Sequence, residues 1–166
     1  MAGFELPVDG MGEVLPHDHP ALQGATRMLR GVAPDHVVRD DNYGCQRLSS
    51  ALFKNNPDRH GYLSFNSQFC IEERAEDPAG YMTDRGWLGV VSVTVANFRA
   101  FDPATQLGSE WKIGMVPLPN NIPPDPCHGA VWGSISKSRA DQIRRASSWL
   151  VEIASVVLDE TQLPRA

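Results

Sequence analysis

Arg47, Ser64 and His128 stand far apart in the sequence but together have the chemistry of a small active site. A guanidinium holds a phosphate or a carboxylate through two parallel hydrogen bonds. Histidine changes its charge near neutral pH and therefore transfers protons there. If the fold brings these three side chains together, they predict a small transferase or a phosphoester-processing enzyme with these residues as its catalytic group.

His128 ends a segment that is stiffened by proline. Residues 117–126 contain five prolines, which restrict the backbone and remove hydrogen-bond donors. Gly129 follows the histidine and permits a close approach of the backbone. A stiff loop of this kind suits the delivery of a catalytic side chain to the start of a strand. In the alternative interpretation, His128 hydrogen-bonds backbone groups that the prolines leave unpaired.

Arg47 and Ser64 also have second interpretations. Arg47 lies beside serine hydroxyls with which it could hold an anion, or it forms a surface ion pair with Asp40 or Asp41. Ser64 belongs to a predicted strand at 62–65, where its hydroxyl faces either a cleft or water. Only the folded arrangement distinguishes these interpretations.

Other chemical patterns are weaker. His17 and His19 flank Asp18 and point the same way in an extended chain, as metal ligands sometimes do, but the position of Asp18 before a predicted helix favours a capping role. The sequence has no nucleophile elbow, zinc-protease helix, phosphate-binding P-loop or dinucleotide fingerprint. We therefore predict neither a metal site nor a cofactor.

Length and charge set the class of protein. The chain has 166 residues, a formal net charge of −5, 42% hydrophobic residues and 21% charged residues. These values favour one globular domain over a membrane protein or a disordered chain. The cations are too few and too scattered for general binding to nucleic acid. Four cations lie close together near the C-terminus, and we interpret them as a solvated helix face rather than a basic binding patch: Lys137, Arg139, Arg144 and Arg145.

The number and spacing of the cysteines indicate the cellular compartment of the protein. Cys45, Cys70 and Cys127 are odd in number and widely spaced, without the spacing of a zinc knuckle or a dithiol redox site. The N-terminus lacks the pattern of a secretion signal. Together these features predict free thiols and a cytoplasmic location.

The pattern of apolar residues predicts the elements that position the candidates. A first helix is expected from Asp18 to Gly31. Residues 46–53 fit either a strand or a helix, and the polar residues 55–61 form a loop that suggests a hairpin. Short helices are expected after Ser67 and over 78–84. Further strands are predicted at 36–39, 62–65, 87–95, 111–116 and 130–132, with Phe98 and Phe101 continuing the third of these.

The strongest helical pattern lies near the C-terminus. Ser138 and Asp141 resemble a capping box, and one apolar stripe follows: Ile143, Ala146, Leu150, Ile153, Ala154, Val157 and Leu158. We therefore expect a single α+β domain, with a small, mainly antiparallel sheet and a long C-terminal helix packed on it. Residues 1–16 are expected to form a flexible arm, and residues 17–166 the domain.

Three segments carry a resemblance to known proteins. Residues 47–53, residues 61–65 and the run from Pro126 to Gly133 resemble, in that order, a pattern in small uncharacterised bacterial proteins whose function is unknown. An arginine before the Tyr62-Leu63-Ser64 strand is also similar to ADP-ribosyltransferase-like folds, in which such groups hold a nicotinamide dinucleotide. That family usually has a late Glu or Gln, where this chain has His128.

The function expected first is that of a non-catalytic bacterial interaction or accessory protein of the antitoxin, immunity or defence-associated kind. Trp87, Trp111 and Trp132 are the expected anchors of an interface, with a protein partner or a second copy of the chain. Binding to nucleic acid or a membrane is not expected. The alternative is the enzyme that uses Arg47, Ser64 and His128.

Overall fold

The computed structural model describes residues 3–55, 61–103 and 111–158. The strands of this part are β1 (Arg27–Val32), β2 (Val37–Asp40), β3 (Cys45–Leu48), β4 (Tyr62–Ser67), β5 (Gly89–Thr94), β6 (Lys112–Met115), β7 (His128–Trp132), β8 (Ser148–Val151) and β9 (Val156–Val157). The α-helices are α1 (Gln68–Glu73), α2 (Pro78–Thr83), α3 (Val95–Arg99) and α4 (Lys137–Ala146), and Pro34–His36 and Ser50–Phe53 are short 3-10 turns.

The strands form two sheets. The main sheet has six antiparallel strands in the order β6-β7-β4-β1-β5-β8, and the smaller one has the order β2-β3-β9. Short helices connect and cover these sheets. The expected α+β domain with a mainly antiparallel sheet is confirmed.

Local signals determine the short helices and the valine-rich strand. The Ser67 side chain accepts a hydrogen bond from the Cys70 amide and starts α1. Asp77 does the same for the Gly80 amide at the start of α2, with Pro78 in the first turn. β5 is buried along nearly its whole length between β1 and β8. These elements agree with their predictions.

The first predicted helix, from Asp18 to Gly31, is wrong. Arg27–Val32 forms β1, which pairs with β4 on one side and with β5 on the other. Met28 and Leu29 are both buried, and as neighbours in a strand they point to opposite faces of the sheet. A strand that is buried on both faces also carries closely spaced apolar residues. Pairing on both sides therefore decides for the strand.

The long C-terminal helix is wrong in its second half. α4 ends at Ala146 and is capped by Ser136 rather than Ser138. Ser148–Val151 then forms β8 along the edge of β5, and Val156–Val157 pairs in parallel with β3 as β9. The amphipathic pattern favours a helix, but the edges of β5 and β3 offer backbone hydrogen bonds that outweigh this local preference.

Two further expectations change. β3 pairs with β2 and β9 and does not form a hairpin with β4. The predicted loop at 55–61 falls mostly on residues 56–60, which lie outside the described residues. Phe98 does not continue β5, because Thr94 caps α3 and turns the chain into a helix.

Trp111 belongs to the hydrophobic core and not to an exposed interface. Its exposed fraction is 0%, its ring packs against Phe98 with centroids 5.3 Å apart, and its indole nitrogen donates to the Ser134 carbonyl. This correction removes one of the three tryptophans that were expected to anchor a partner.

Residues 17–19 cover the edge of the sheet at β6. The His17 ring accepts a hydrogen bond from the Met115 amide through Nε2, and its Nδ1 donates to the Leu15 carbonyl. Asp18 accepts from the Ile113 amide, so it caps a strand edge rather than a helix. These side chains occupy donors that would otherwise recruit another strand.

Cys70 and Cys127 form a disulfide, with 5.5 Å between their Cα atoms. The expectation of three free thiols is therefore wrong, and Cys45 is the free cysteine. The bond joins the start of α1 to the residue before His128, because two cysteines 57 positions apart meet where β4 and β7 pair. No helix in the described ranges is long and apolar enough to cross a membrane.

Candidate functional site

A cavity of about 1090 Å³ lies beside the middle of the main sheet. β1 pairs with β4 at two positions, Met28 with Ser67 and Leu29 with Asn66. With β5, in contrast, β1 pairs over the whole length of β1. Beyond those two positions no pairs join β1 and β4 within the described residues. Residues of both strands line the cavity there, together with the loops after α2 and β6.

β4 supplies one wall of this cavity. Tyr62, Ser64 and Asn66 alternate with core residues, so they share one face of the sheet. His128 pairs directly with Asn66 across β4 and β7, and it therefore lies on the same face. The Ser64 hydroxyl makes no hydrogen bond to any residue that the structure describes.

The structure brings together two of the three candidate residues. Ser64 and His128 both line the cavity, and Arg47 does not. Arg47 lies on β3, where Nε donates to Asp40 at 3.1 Å and Nη1 donates to the Leu48 carbonyl. The surface ion pair is thus the observed geometry of Arg47.

His128 is held in a defined orientation. Its Nδ1 lies 2.8 Å from the Val116 carbonyl oxygen, which can only accept, so Nδ1 carries the proton. In the neutral ring the basic lone pair is then on Nε2. The contact also satisfies a carbonyl next to the proline-rich loop, which is what the alternative interpretation expected. The hydrogen bond to the loop and a catalytic role of His128 are therefore compatible in one side chain.

Arg30 lies on β1 and supplies a cation to the cavity wall. Its Nε donates to the Leu52 carbonyl at 2.9 Å and its Nη1 to the Ser64 carbonyl at 2.7 Å. Burial lowers the pKa of Arg30 to about 10, so the guanidinium remains charged at neutral pH. Within residues 3–55, 61–103 and 111–158 no carboxylate pairs with it. Three of its five N–H donors bond to no residue that the structure describes.

Asp125 lies in the proline-rich loop and lines the same cavity. Its Oδ1 accepts from the Tyr81 hydroxyl at 2.6 Å and from the Asn66 amide at 2.8 Å. Arg85 Nε lies 3.9 Å from the same oxygen, and its guanidinium stacks on the Tyr81 ring. Burial and the hydrogen bond to Asp125 raise the pKa of Tyr81 well above its usual range, so the phenol remains a donor.

Aromatic rings form another part of the wall. The Trp87 indole lies directly on Gly31, where a Cβ would come within 2.0 Å of Cδ2, so only glycine fits beneath it. The Tyr62 ring lies 6.1 Å from the His128 ring and 5.9 Å from the Trp132 ring. Burial raises the pKa of Tyr62. These surfaces suit a planar ring in the ligand.

His36 also lines the cavity, near Arg30. Its Nδ1 accepts a hydrogen bond from the Ala33 amide. Burial lowers the pKa of His36, the nearby Arg30 charge lowers it further, and Asp35 opposes them. The folded protein therefore holds this ring in its neutral form more strongly than the unfolded chain does.

We expect the free energy of unfolding to fall as the pH drops below about 6.5, the ordinary histidine pKa, because His36 takes up a proton more readily in the unfolded state. His36→Asn keeps an acceptor for the Ala33 amide and should reduce this slope, as measured by urea unfolding from about pH 5 to pH 8. Burial also lowers the pKa of His19, so the slope of His19→Asn is measured beside that of His36→Asn to separate the contributions of the two histidines. An unchanged slope in His36→Asn would contradict the assignment.

Arg30 and Asp125 were not among the site residues predicted from the sequence. Arg30 was hidden inside a segment interpreted as a helix, although a lone arginine in the apolar run 28–32 was a signal of a buried cation. Asp125 is the acidic residue among the prolines of 117–126, and its neighbours come from elements distant in the sequence.

No protein-family model, curated protein sequence or solved structure matches this chain. No three His, Cys, Asp or Glu side chains meet as a possible metal site among the residues with described positions. The geometry of the cavity is therefore what supports a functional proposal.

Proposed function

We propose that this protein is an enzyme that binds a phosphorylated small molecule in the cavity and transfers a group from it or cleaves its phosphoester. The observation that carries the proposal is Arg30, a partly buried cation with which no described carboxylate pairs, in the wall that Ser64 and His128 also line. In this proposal Arg30 takes the role that the sequence analysis assigned to Arg47.

The uncompensated charge of Arg30 supports an anionic ligand. A partly buried charge without an ionic partner is costly in free energy, and an anion that accepts the spare donors offsets that cost. Lys54 adds a second cation to the lining. Phosphate suits the site better than a lone carboxylate, because the volume of about 1090 Å³ and the rings of Trp87 and Tyr62 accommodate a larger, ring-containing molecule.

His128 is the proposed general base. Its Nε2 takes a proton from water or from an acceptor hydroxyl. The lone pair on the deprotonated oxygen then forms a bond to the electrophilic phosphorus or carbon of the ligand. The bond from that atom to its leaving oxygen breaks, and Arg30 stabilises the charge that develops on the phosphate. His128 then returns the proton to the leaving group. Ser64 lies diagonally across from His128 in the register of β4 and β7 and positions the attacking group.

Substitution of His128 tests the catalytic part. His128→Asn keeps a donor for the Val116 carbonyl but removes the base, so turnover should fall about 100- to 10,000-fold while ligand binding changes little. Phosphorus NMR with nucleoside di- and triphosphates and dinucleotides measures turnover, and calorimetry measures binding. Wild-type protein that binds these compounds but converts none of them contradicts catalysis. Absence of all binding contradicts the whole proposal.

A non-catalytic interaction protein is the second candidate. Ile122 is 100% exposed on the loop that borders the cavity, and Met11 is 90% exposed on the N-terminal segment. An interaction protein would use exposed apolar side chains of this kind to contact a protein partner or a second copy. Ile122→Ser should then abolish capture of the partner, or dimerisation in light scattering, without changing phosphate binding.

The compartment is part of the same proposal. A cytoplasmic location was predicted from free thiols, and the Cys70–Cys127 disulfide removes that support. Disulfides persist in oxidising compartments and are rare in the cytoplasm. The intact disulfide thus favours a location where the thiols stay oxidised.

A further inference from the structure

Only one oxygen of the Asp125 carboxylate, Oδ1, contacts polar groups of the described residues. These groups are the Tyr81 hydroxyl, the Asn66 amide and the Arg85 guanidinium. Oδ2 makes no hydrogen bond to any described residue, although Asp125 is only 7% exposed and lines the cavity. This oxygen is not fully enclosed by the protein, so it can accept a hydrogen bond from a molecule in the cavity. A ligand is expected to supply that donor.

The surroundings of Asp125 hold it as a fixed acceptor. The Arg85 guanidinium donates to the Tyr81 and Pro124 carbonyls, while its buried Nε has no hydrogen-bond partner in the described part of the chain. The Tyr81 hydroxyl donates to Oδ1 and accepts from the Cys127 amide. Both the position and the charge of the carboxylate are thus supported from one side, which leaves the other side for a ligand.

The charge balance selects the kind of donor. Arg85 already balances the negative charge of Asp125, so an ammonium group of a ligand would add a second cation. A neutral hydroxyl adds a hydrogen bond and no charge. The preferred donor is consequently a hydroxyl group.

The spacing relates this group to the phosphate. Arg30 bonds the Ser64 carbonyl, and Asn66, which bonds Asp125, lies two residues further along β4. Two residues of a strand span about 7 Å. The anion and the hydroxyl are therefore close enough to belong to one sugar phosphate.

We infer that Asp125 and Asn66 form a sugar-hydroxyl subsite, and that the ligand of this cavity is a nucleotide with its phosphate at Arg30 and its base against Trp87 or Tyr62. This inference rests on the proposed function, because it places the phosphate at Arg30. It adds the substrate class and a role for the loop that precedes His128.

Calorimetry with three probes tests the subsite in the unaltered protein. Adenosine 5′-diphosphate should bind at least tenfold more tightly than its 2′,3′-dideoxy analogue, because the analogue leaves the Asp125 oxygen without a donor. Inorganic pyrophosphate should bind more weakly than the diphosphate nucleotide. In Asp125→Asn the preference for the hydroxylated nucleotide should shrink to less than about threefold.

The outcomes separate the two proposals. Equal affinity for the nucleotide and its dideoxy analogue overturns the sugar subsite and leaves the phosphate site intact. Pyrophosphate that binds as tightly as the nucleotide does the same. If none of the three probes binds, the proposed function itself fails, and the subsite with it. The comparison of probes does not depend on whether Asp125→Asn folds.

Discussion

Replacement of Arg30 by methionine is expected to weaken the binding of pyrophosphate and of nucleotides about 100-fold. The guanidinium is a cation in the cavity wall that no described carboxylate neutralises, so its loss removes an attraction for a phosphate. Isothermal calorimetry at constant salt measures the effect, since phosphate affinity depends on ionic strength.

The fold should survive this change. Methionine removes a partly buried charge without an ionic partner and so relieves its desolvation cost, and this gain is opposed by the loss of two hydrogen bonds to the Leu52 and Ser64 carbonyls. The free energy of unfolding should therefore change by less than about 2 kcal/mol. Arg30→Lys keeps the charge and loses the fork, so its affinity should be intermediate.

Arg27→Met is the matched control. Arg27 lies on the same strand, donates to the Ser92 hydroxyl, and does not line the cavity. Its replacement should leave anion binding unchanged. If Arg30→Met binds pyrophosphate as tightly as the wild type, or if Arg27→Met loses as much affinity, the anion site is not where we place it.

Reduction of the Cys70–Cys127 disulfide is expected to lower the free energy of unfolding by about 4 kcal/mol. The bond closes a loop of 57 residues, and on the chain-entropy model a longer loop gives a larger constraint on the unfolded state. Urea unfolding with and without a dithiol reductant measures the change. The double variant Cys70→Ala, Cys127→Ala should reproduce it without reductant.

Cys45 provides the control for this prediction. It is the free cysteine, so Cys45→Ser should not alter the effect of the reductant. Thiol titration of the denatured, unreduced protein should find one reactive thiol, and three after reduction. Three thiols before reduction would show that the bond is absent and would restore the original expectation of free cysteines.

The elements that were predicted correctly are those with local causes. Ser67 and Asp77 each cap the helix that follows through a hydrogen bond from an amide three residues on, and this preference is present in a short stretch of sequence. The valine-rich β5 also follows from composition, because β-branched residues suit a buried strand.

The elements that were predicted incorrectly depend on distant partners. The segment 148–157 has a helical pattern, but part of it pairs with β5 and part with β3. The segment 27–32 is a strand because β4 and β5 flank it. A pattern along the chain does not reveal which edges the rest of the fold leaves available.

The candidate site divides in the same way. Sequence alone selected Ser64 and His128 from a strand pattern and a proline-rich loop, and both line one cavity. Arg47 was chosen by residue type, and Asp40, seven positions earlier, pairs with it instead. The apolar run around Arg30 marks it as unusual, but its place in the site follows from the structure, where β1 and β4 part beside it.

The sequence by itself determined the residue types available for chemistry and the helix caps, which depend on interactions between near neighbours in the chain, and its mixture of strand and helix patterns indicated the α+β class. The tertiary structure alone decided that Arg30 rather than Arg47 accompanies His128, that Asp125 lies beside Asn66, and that Cys70 meets Cys127. The physical reason is that burial, charge neutralisation and edge pairing are properties of groups that meet only after folding.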